Sequence, residues 1–87
     1  MVKADVVITN ATGLHMRPAR ELCKKALEFE SVITVHTKGK IVDAKSVLGL
    51  LSACIKENES ITVQCEGVDE ESALTEIVDL IDQGLGE

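Results

Sequence analysis

An 87-residue chain is one small domain, expected to span 1–87, with a single core and little room for a deep cleft. Surface chemistry or protein docking is therefore favoured over a buried multi-residue active site. The formal net charge of −6 argues against general nucleic-acid binding, and no stretch approaches the ~18 consecutive apolar residues of a membrane span.

Val2, Ala4, Val6 and Ile8 alternate with Lys3, Asp5, Val7 and Thr9, which predicts a first strand. Asn10-Ala11-Thr12-Gly13 breaks it. Met16, Ala19, Leu22, Cys23, Ala26 and Leu27 then recur at helical spacing, with Pro18 in the first turn, where its missing N–H is tolerated. Phe29 near the helix end is assigned to the core. Val32 to Thr37 is rich in β-branched residues, Lys38-Gly39-Lys40 reads as a tight hairpin turn, and Ile41-Val42 starts the return strand. Ser46 is a suitable N-cap for a short apolar helix, Val47-Leu48-Gly49-Leu50-Leu51, which Gly49 weakens by up to ~1 kcal/mol relative to alanine. After the polar connection Glu57-Asn58-Glu59, Ile61, Val63 and Cys65 alternate with Thr62 and Gln64 in a fourth strand. Asp69 is the expected N-cap of a last helix, with Glu70 and Glu71 in its first turn. Ala73, Leu74, Ile77, Val78 and Ile81 form its apolar stripe, and Gly84 is its stop. The order strand–helix–strand–strand–helix–strand–helix predicts an α+β sandwich with the helices on one sheet face.

Charge is unevenly distributed. From His15 to Lys45 there are seven basic and four acidic residues; from Glu57 onward there are ten acidic residues and no Lys or Arg. The basic half suits phosphate or an acidic protein surface. Cys23, Cys54 and Cys65 form no C-x-x-C pair. Each falls on a predicted apolar face and reads as a small buried hydrophobe. Free thiols fit a reducing cytoplasm, and the N-terminus lacks a basic region followed by a long apolar run, so no secretory signal is expected.

The chemistry concentrates at Gly13-Leu14-His15-Met16-Arg17-Pro18-Ala19. His15 precedes a helix start, where unpaired N–H groups and the helix dipole favour an anion. A lone histidine there is most often a cap or surface residue. The context changes the balance: a neutral imidazole is nucleophilic, a phosphoryl group on it would meet the N–H groups of Met16, Arg17 and Ala19, and Arg17 offers a planar charged donor. An exposed phosphohistidine at such a site would hold its group loosely enough for onward transfer. Ser46 is the second candidate. It is a structural cap in the plain reading, yet a phosphate there would add about −2 charge at a helix start beside Lys45, and Val47, Leu48 and Leu51 would give a partner an apolar patch. His36 is read as a solvent-facing strand residue without an obvious partner, and Asn10 and Thr12 as makers of turn hydrogen bonds.

With both motifs in view, the chain resembles the HPr family, the histidine-containing phosphocarriers of the bacterial phosphoenolpyruvate-dependent sugar phosphotransferase system. Gly13–Ala19 resembles the family's active-site signature, and Lys45-Ser46-Val47-Leu48-Gly49-Leu50-Leu51-Ser52 its regulatory serine segment. The resemblance implies an open-faced β-sandwich of βαββαβα order: a four-stranded antiparallel sheet with three helices on one face. It implies a cytoplasmic, monomeric carrier that is not an enzyme and uses no cofactor or metal. His15 would be phosphorylated on Nδ1 by phosphorylated enzyme I and pass the group to IIA domains of sugar permeases, with Arg17 assisting. Met16, Arg20, Val47, Leu48 and Leu51 would face the partners. Ser46 would be the target of HPr kinase/phosphorylase in Gram-positive-type bacteria, its phosphorylated form recruiting the catabolite-control repressor. Met16 stands where the family often has alanine, the apolar helix lacks the frequent methionine and isoleucine, and the three cysteines lie outside the family pattern.

The runner-up is a family paralogue acting in carbon or nitrogen control; the presence of His15, and not glutamine, separates the chain from the regulatory homologue that lacks phosphotransfer. A metal carrier would need paired soft ligands near the first loop, where only His15 and Met16 stand. A purely structural or small-ligand domain would have no reason to group His, Arg and Pro at one helix start.

Overall fold

Alternation of apolar and polar residues produces four strands, and 3.6-residue spacing produces three helices. A computed structural model describes residues 1–86; the expected domain, 1–87, runs one residue beyond them. The elements are β1 (Val2–Val7), α1 (Met16–Ala26), β2 (Val32–Thr37), β3 (Lys40–Asp43), α2 (Val47–Ser52), β4 (Ser60–Glu66) and α3 (Glu70–Asp82). The strands form one antiparallel sheet in the order β1-β4-β2-β3. Register places Val6 opposite Ile61 and Val35 opposite Val63, so the inward residues of neighbouring strands meet on one face. That face is buried by Leu22, Cys23 and Ala26 of α1, Leu50 of α2, and Ala73, Ile77 and Ile81 of α3. Each large aliphatic side chain buried there contributes roughly 1.5–3 kcal/mol. The other face is open, and the fold is the four-stranded, three-helix open-faced sandwich expected.

Several local assignments are corrected. Met16 and Leu27 do not belong to the buried stripe of α1: they are 48% and 62% exposed, since they occupy the two ends of the helix, beyond the sheet it covers. Phe29 is only partly buried at the core margin. The hairpin loop is Lys38-Gly39 alone, both with left-handed φ (50° and 75°), and β3 already begins at Lys40. Cys23 and Cys65 are buried, but Cys54 is exposed because the chain leaves α2 two residues before it. His36 has a partner after all: its Nε2 lies 2.9 Å from Thr34 Oγ1 on the open face. Gly84 stops α3 as expected, with Gly84 N donating to Ile81 O (3.1 Å) and Leu85 N to Leu80 O (3.0 Å), the two bonds of a Schellman closure.

Asp69 occupies the N-cap position of α3 but makes no side-chain cap bond. Its carboxylate crosses to the loop after α1. It accepts from the backbone N–H groups of Glu30 and Ser31, both at 2.9 Å, and from the Ser31 hydroxyl. The Ser31 hydroxyl, then the Glu30 amide, hold the Asp69 carboxyl below its ordinary range despite some desolvation. A lowered folded-state pKa contributes stability that is present above the unfolded value, 3.8, and is lost as pH falls through the folded value. Asp69→Asn should therefore be less stable than the parent at pH 7 and approach it as pH falls below 3.8 through the folded value. Urea midpoints across that range check this.

Candidate functional site

His15 is placed by two loops that lie one on the other. At the end of β1, Ile8 N donates to Glu59 O (3.0 Å) and Ile8 O accepts from Asn58 N (2.7 Å). The chain then turns, with Gly13 N donating to Asn10 O (2.9 Å). Asn10 does more than serve the turn: its buried side chain donates through Nδ2 to Gly84 O at 2.6 Å, tying the loop to the end of α3. Leu14 is buried, and its N–H donates to Ile55 O at 2.9 Å. Gly13 lies so close to the second loop that a Cβ there would stand 2.5 Å from Ile55 O and 2.9 Å from Lys56 Cα, and its φ is +67°. Only glycine fits both demands.

His15 follows directly, exposed, as the N-cap of α1 in extended conformation. The His15 side chain makes no cap hydrogen bond to this helix. Pro18 has no N–H and Ala19 N donates to His15 O at 2.9 Å, so Ala19 is not a phosphate donor as the sequence suggested. The Met16 and Arg17 N–H groups, which have no intrahelical acceptor at a helix start, remain. His15, Met16, Arg17 and Arg20 come together with Glu21 around a shallow recess of about 480 Å³. On its other side His15 borders a recess of about 240 Å³ shared with Thr12, Leu14, Leu51, Cys54, Ile55 and Lys56.

Ser46 is not part of either recess. It caps α2, its Oγ accepting from Gly49 N at 3.0 Å. A Cβ at position 49 would lie 3.3 Å from that Oγ, so glycine leaves the capping hydroxyl room. Lys45 does not offer its charge to Ser46: its Nζ donates to Phe29 O at 2.7 Å, tying α2 back to the end of α1. Leu48 is 79% exposed, while Val47 and Leu51 are half-buried. Of the expected partner-facing residues, Met16, Arg20 and Leu51 thus surround His15, and Leu48 projects from the adjoining helix.

The sequence reading missed Glu21, Thr12, Cys54 and Lys56. The last two come from a loop whose proximity to His15 has no local sequence signal. Cys54 sits at φ 52°, a conformation that costs a non-glycine residue roughly 1–2 kcal/mol. Nearby, burial opposes ionisation of Glu59, but hydrogen bonds from Thr37, Lys38 and the Lys56 amide, with the Lys38 charge, hold its carboxyl below the ordinary range.

Opposite substitutions should have opposite effects on this pair of loops. Gly13→Ala should lose about 2–3 kcal/mol through backbone strain and overlap, whereas Cys54→Gly should gain up to about 1 kcal/mol. Denaturant unfolding of the two variants checks both signs.

A family model described as "PTS HPr component phosphorylation site" matches residues 2–83. The chain is 39% identical over 82 residues to the phosphocarrier protein HPr of Borreliella burgdorferi, covering 94% of this chain and 95% of that protein. Its structure resembles the crystal structure of HPr-C-His from Thermoanaerobacter tengcongensis with a TM-score of 0.96 at 39% identity, covering 100% of this chain and 98% of that one. The Bacillus subtilis catabolite-repression protein Crh, described as a dimer with a swapping domain, matches with a TM-score of 0.78 at 32% identity, covering 95% of each chain.

Proposed function

The chain belongs to the HPr family of phosphotransferase-system phosphocarriers, and from that premise we propose that His15 is the residue that carries the phosphoryl group. It is a carrier and not an enzyme. The observation that supports this reading is the pairing of an exposed imidazole at a helix start with two arginines around one recess. In the transfer, the lone pair of the neutral His15 Nδ1 forms an N–P bond as the N–P bond of phosphorylated enzyme I breaks. The Met16 and Arg17 amides and the Arg17 guanidinium then donate to the phosphoryl oxygens. The group passes onward to a IIA domain of a sugar permease. Met16, Arg20, Val47, Leu48 and Leu51 form the face on which both partners dock.

Ser46 has the second role in this reading, as the site modified by HPr kinase/phosphorylase. Its hydroxyl already accepts from a helix-start N–H, where a phosphate would be stabilised. The added charge beside Val47 and Leu48 would oppose docking of an apolar partner face and favour the basic surface of a catabolite-control repressor. The whole chain acts as one domain, as a monomer in the cytoplasm; its three cysteines are free, and no helix among the described residues is long and apolar enough to cross a membrane. The likeness to Crh favours one alternative, a regulatory paralogue in carbon or nitrogen control.

Incubation with phosphoenolpyruvate and enzyme I should place acid-labile phosphate on the chain, and His15→Ala should abolish it. Arg17→Gln should keep the acceptor but lower the transfer rate by about tenfold, as expected for loss of one charged donor. Undiminished acid-labile phosphate in His15→Ala would sink the assignment. Absence of onward transfer to any IIA domain would favour the paralogue. Incubation with ATP and HPr kinase should give acid-stable phosphate that is lost in Ser46→Ala.

A further inference from the structure

The loop beneath His15 is held by a side-chain clamp that neither the phosphate site nor the docking face includes. Residues 54–59 connect α2 to β4, and Gly13 and Leu14 rest on their first half. Two neighbouring residues at the tip of the β2–β3 hairpin reach this segment. Thr37, buried, donates through Oγ1 to Glu59 Oε2 at 2.7 Å. Lys38 Nζ stands 3.1 Å from Glu59 Oε1 and donates to Cys54 O at 2.9 Å. Glu59 turns back on its own loop, accepting from Lys56 N at 3.3 Å. Its backbone O accepts from Ile8 N, the point at which β1 hands over to the His15 loop. Lys38 thus grips the segment at Cys54, and Glu59 grips it at Lys56 and Ile8. Between those points lies Ile55, whose carbonyl holds the Leu14 amide.

We infer that Glu59 and Lys38 are positioning residues for phosphoryl transfer at His15, acting through the 54–56 platform. This rests on the reading that His15 carries the phosphoryl group. Their importance is geometric, since a partly exposed ion pair contributes little to stability. Transfer between two histidines needs the accepting nitrogen in line with the breaking bond, and a displacement of about 1 Å can cost as much as 100-fold in rate. Gly13 has no slack against the platform, so movement of Ile55 moves the residue two before His15. The docking face stands on the helices α1 and α2, outside the clamp. Loosening the clamp should therefore lower the rate at saturation and leave binding intact.

The test uses Lys38→Met, Glu59→Gln, Lys38→Arg and, as a control, Thr62→Val, which removes a 2.6 Å bond to Asp5 on the open sheet face. Two readouts are taken on the full chain: hydrogen exchange of the Leu14 amide, and kcat and KM for phosphorylation by enzyme I with phosphoenolpyruvate. Lys38→Met and Glu59→Gln should speed Leu14 exchange and lower kcat, each by about tenfold, with KM unchanged. Lys38→Arg, which keeps charge and donors, should restore both values, and Thr62→Val should alter neither. Unchanged exchange and kcat in both clamp variants would overturn the inference, as would equal losses in Thr62→Val. If the parent chain takes no phosphate on His15, the function reading fails. The Leu14 exchange then decides the clamp separately, unchanged rates in Lys38→Met overturning it and faster rates upholding its structural half.

Discussion

The bond from the Leu14 amide to the Ile55 carbonyl, 2.9 Å long, is the constraint on which the site depends. It joins two loops that are far apart in sequence and lie at the same end of the paired strands, one after β1 and one before β4. Burial of Leu14 and the bare backbone of Gly13 bring the loops into contact; the hydrogen bond sets their register. With that contact made, α1 can only begin at position 16, and His15 must stand at its mouth. The sheet supplies the distance over which this is possible, because β1 pairs with the last strand and so brings its C-terminal end beside the start of β4. The placement of the His15 loop is therefore a consequence of sheet topology as much as of its own residues.

Most of the fold was legible because its signals are local. Period-two alternation marked β1 and β4, a β-branched run marked β2, and Ser46 and Gly84 marked helix ends by the chemistry that those ends need. The candidate segment was legible for the same reason: His15, Arg17 and Pro18 lie within four residues, and their positions relative to a helix start can be read without tertiary structure. What escaped was non-local. Cys54 looked like a core residue by its surroundings in sequence, but a left-handed turn after α2 takes it to the surface beside His15. Asp69 looked like a cap because aspartate is a favoured residue at a helix start, yet its carboxylate accepts across the molecule from Glu30 and Ser31. Glu59 looked like part of a polar connection, and nothing in Glu57-Asn58-Glu59 distinguishes the one carboxylate that turns inward.

The basic half of the chain also divides differently in space than in sequence. Lys45 is committed to the Phe29 carbonyl, Lys38 to Cys54 and Glu59, and Lys25 to Glu28 and Glu76 at 3.3 and 3.4 Å. These lysines fasten elements to one another. Around His15 stand the arginines Arg17 and Arg20 on one side and Lys56 on the other, and the chemistry of the arginines suits their place. A flexible ammonium reaches a carbonyl as a point donor, while a guanidinium presents a planar set of donors to phosphate oxygens. Two arginines and one glutamate thus line the recess in a chain whose overall charge is −6.

The three helix starts show how structure and function were separated. At α2 the Ser46 hydroxyl satisfies a backbone amide, and such a cap contributes about 1 kcal/mol. At α3 Asp69 stands in the cap position, but its carboxylate is used to join two loops. At α1 the cap position is held by His15, whose own side chain makes no cap bond, and a proline in the first turn removes one of the donors that would need an acceptor. The Met16 and Arg17 amides are left facing the place where a phosphoryl group on His15 would sit. A serine at position 15 would make the better helix but would occupy the anion site itself. The stability forgone at α1 is small beside the burial of Leu22, Cys23 and Ala26 on its inner face, so tertiary packing holds the helix and leaves its N-terminus available for chemistry.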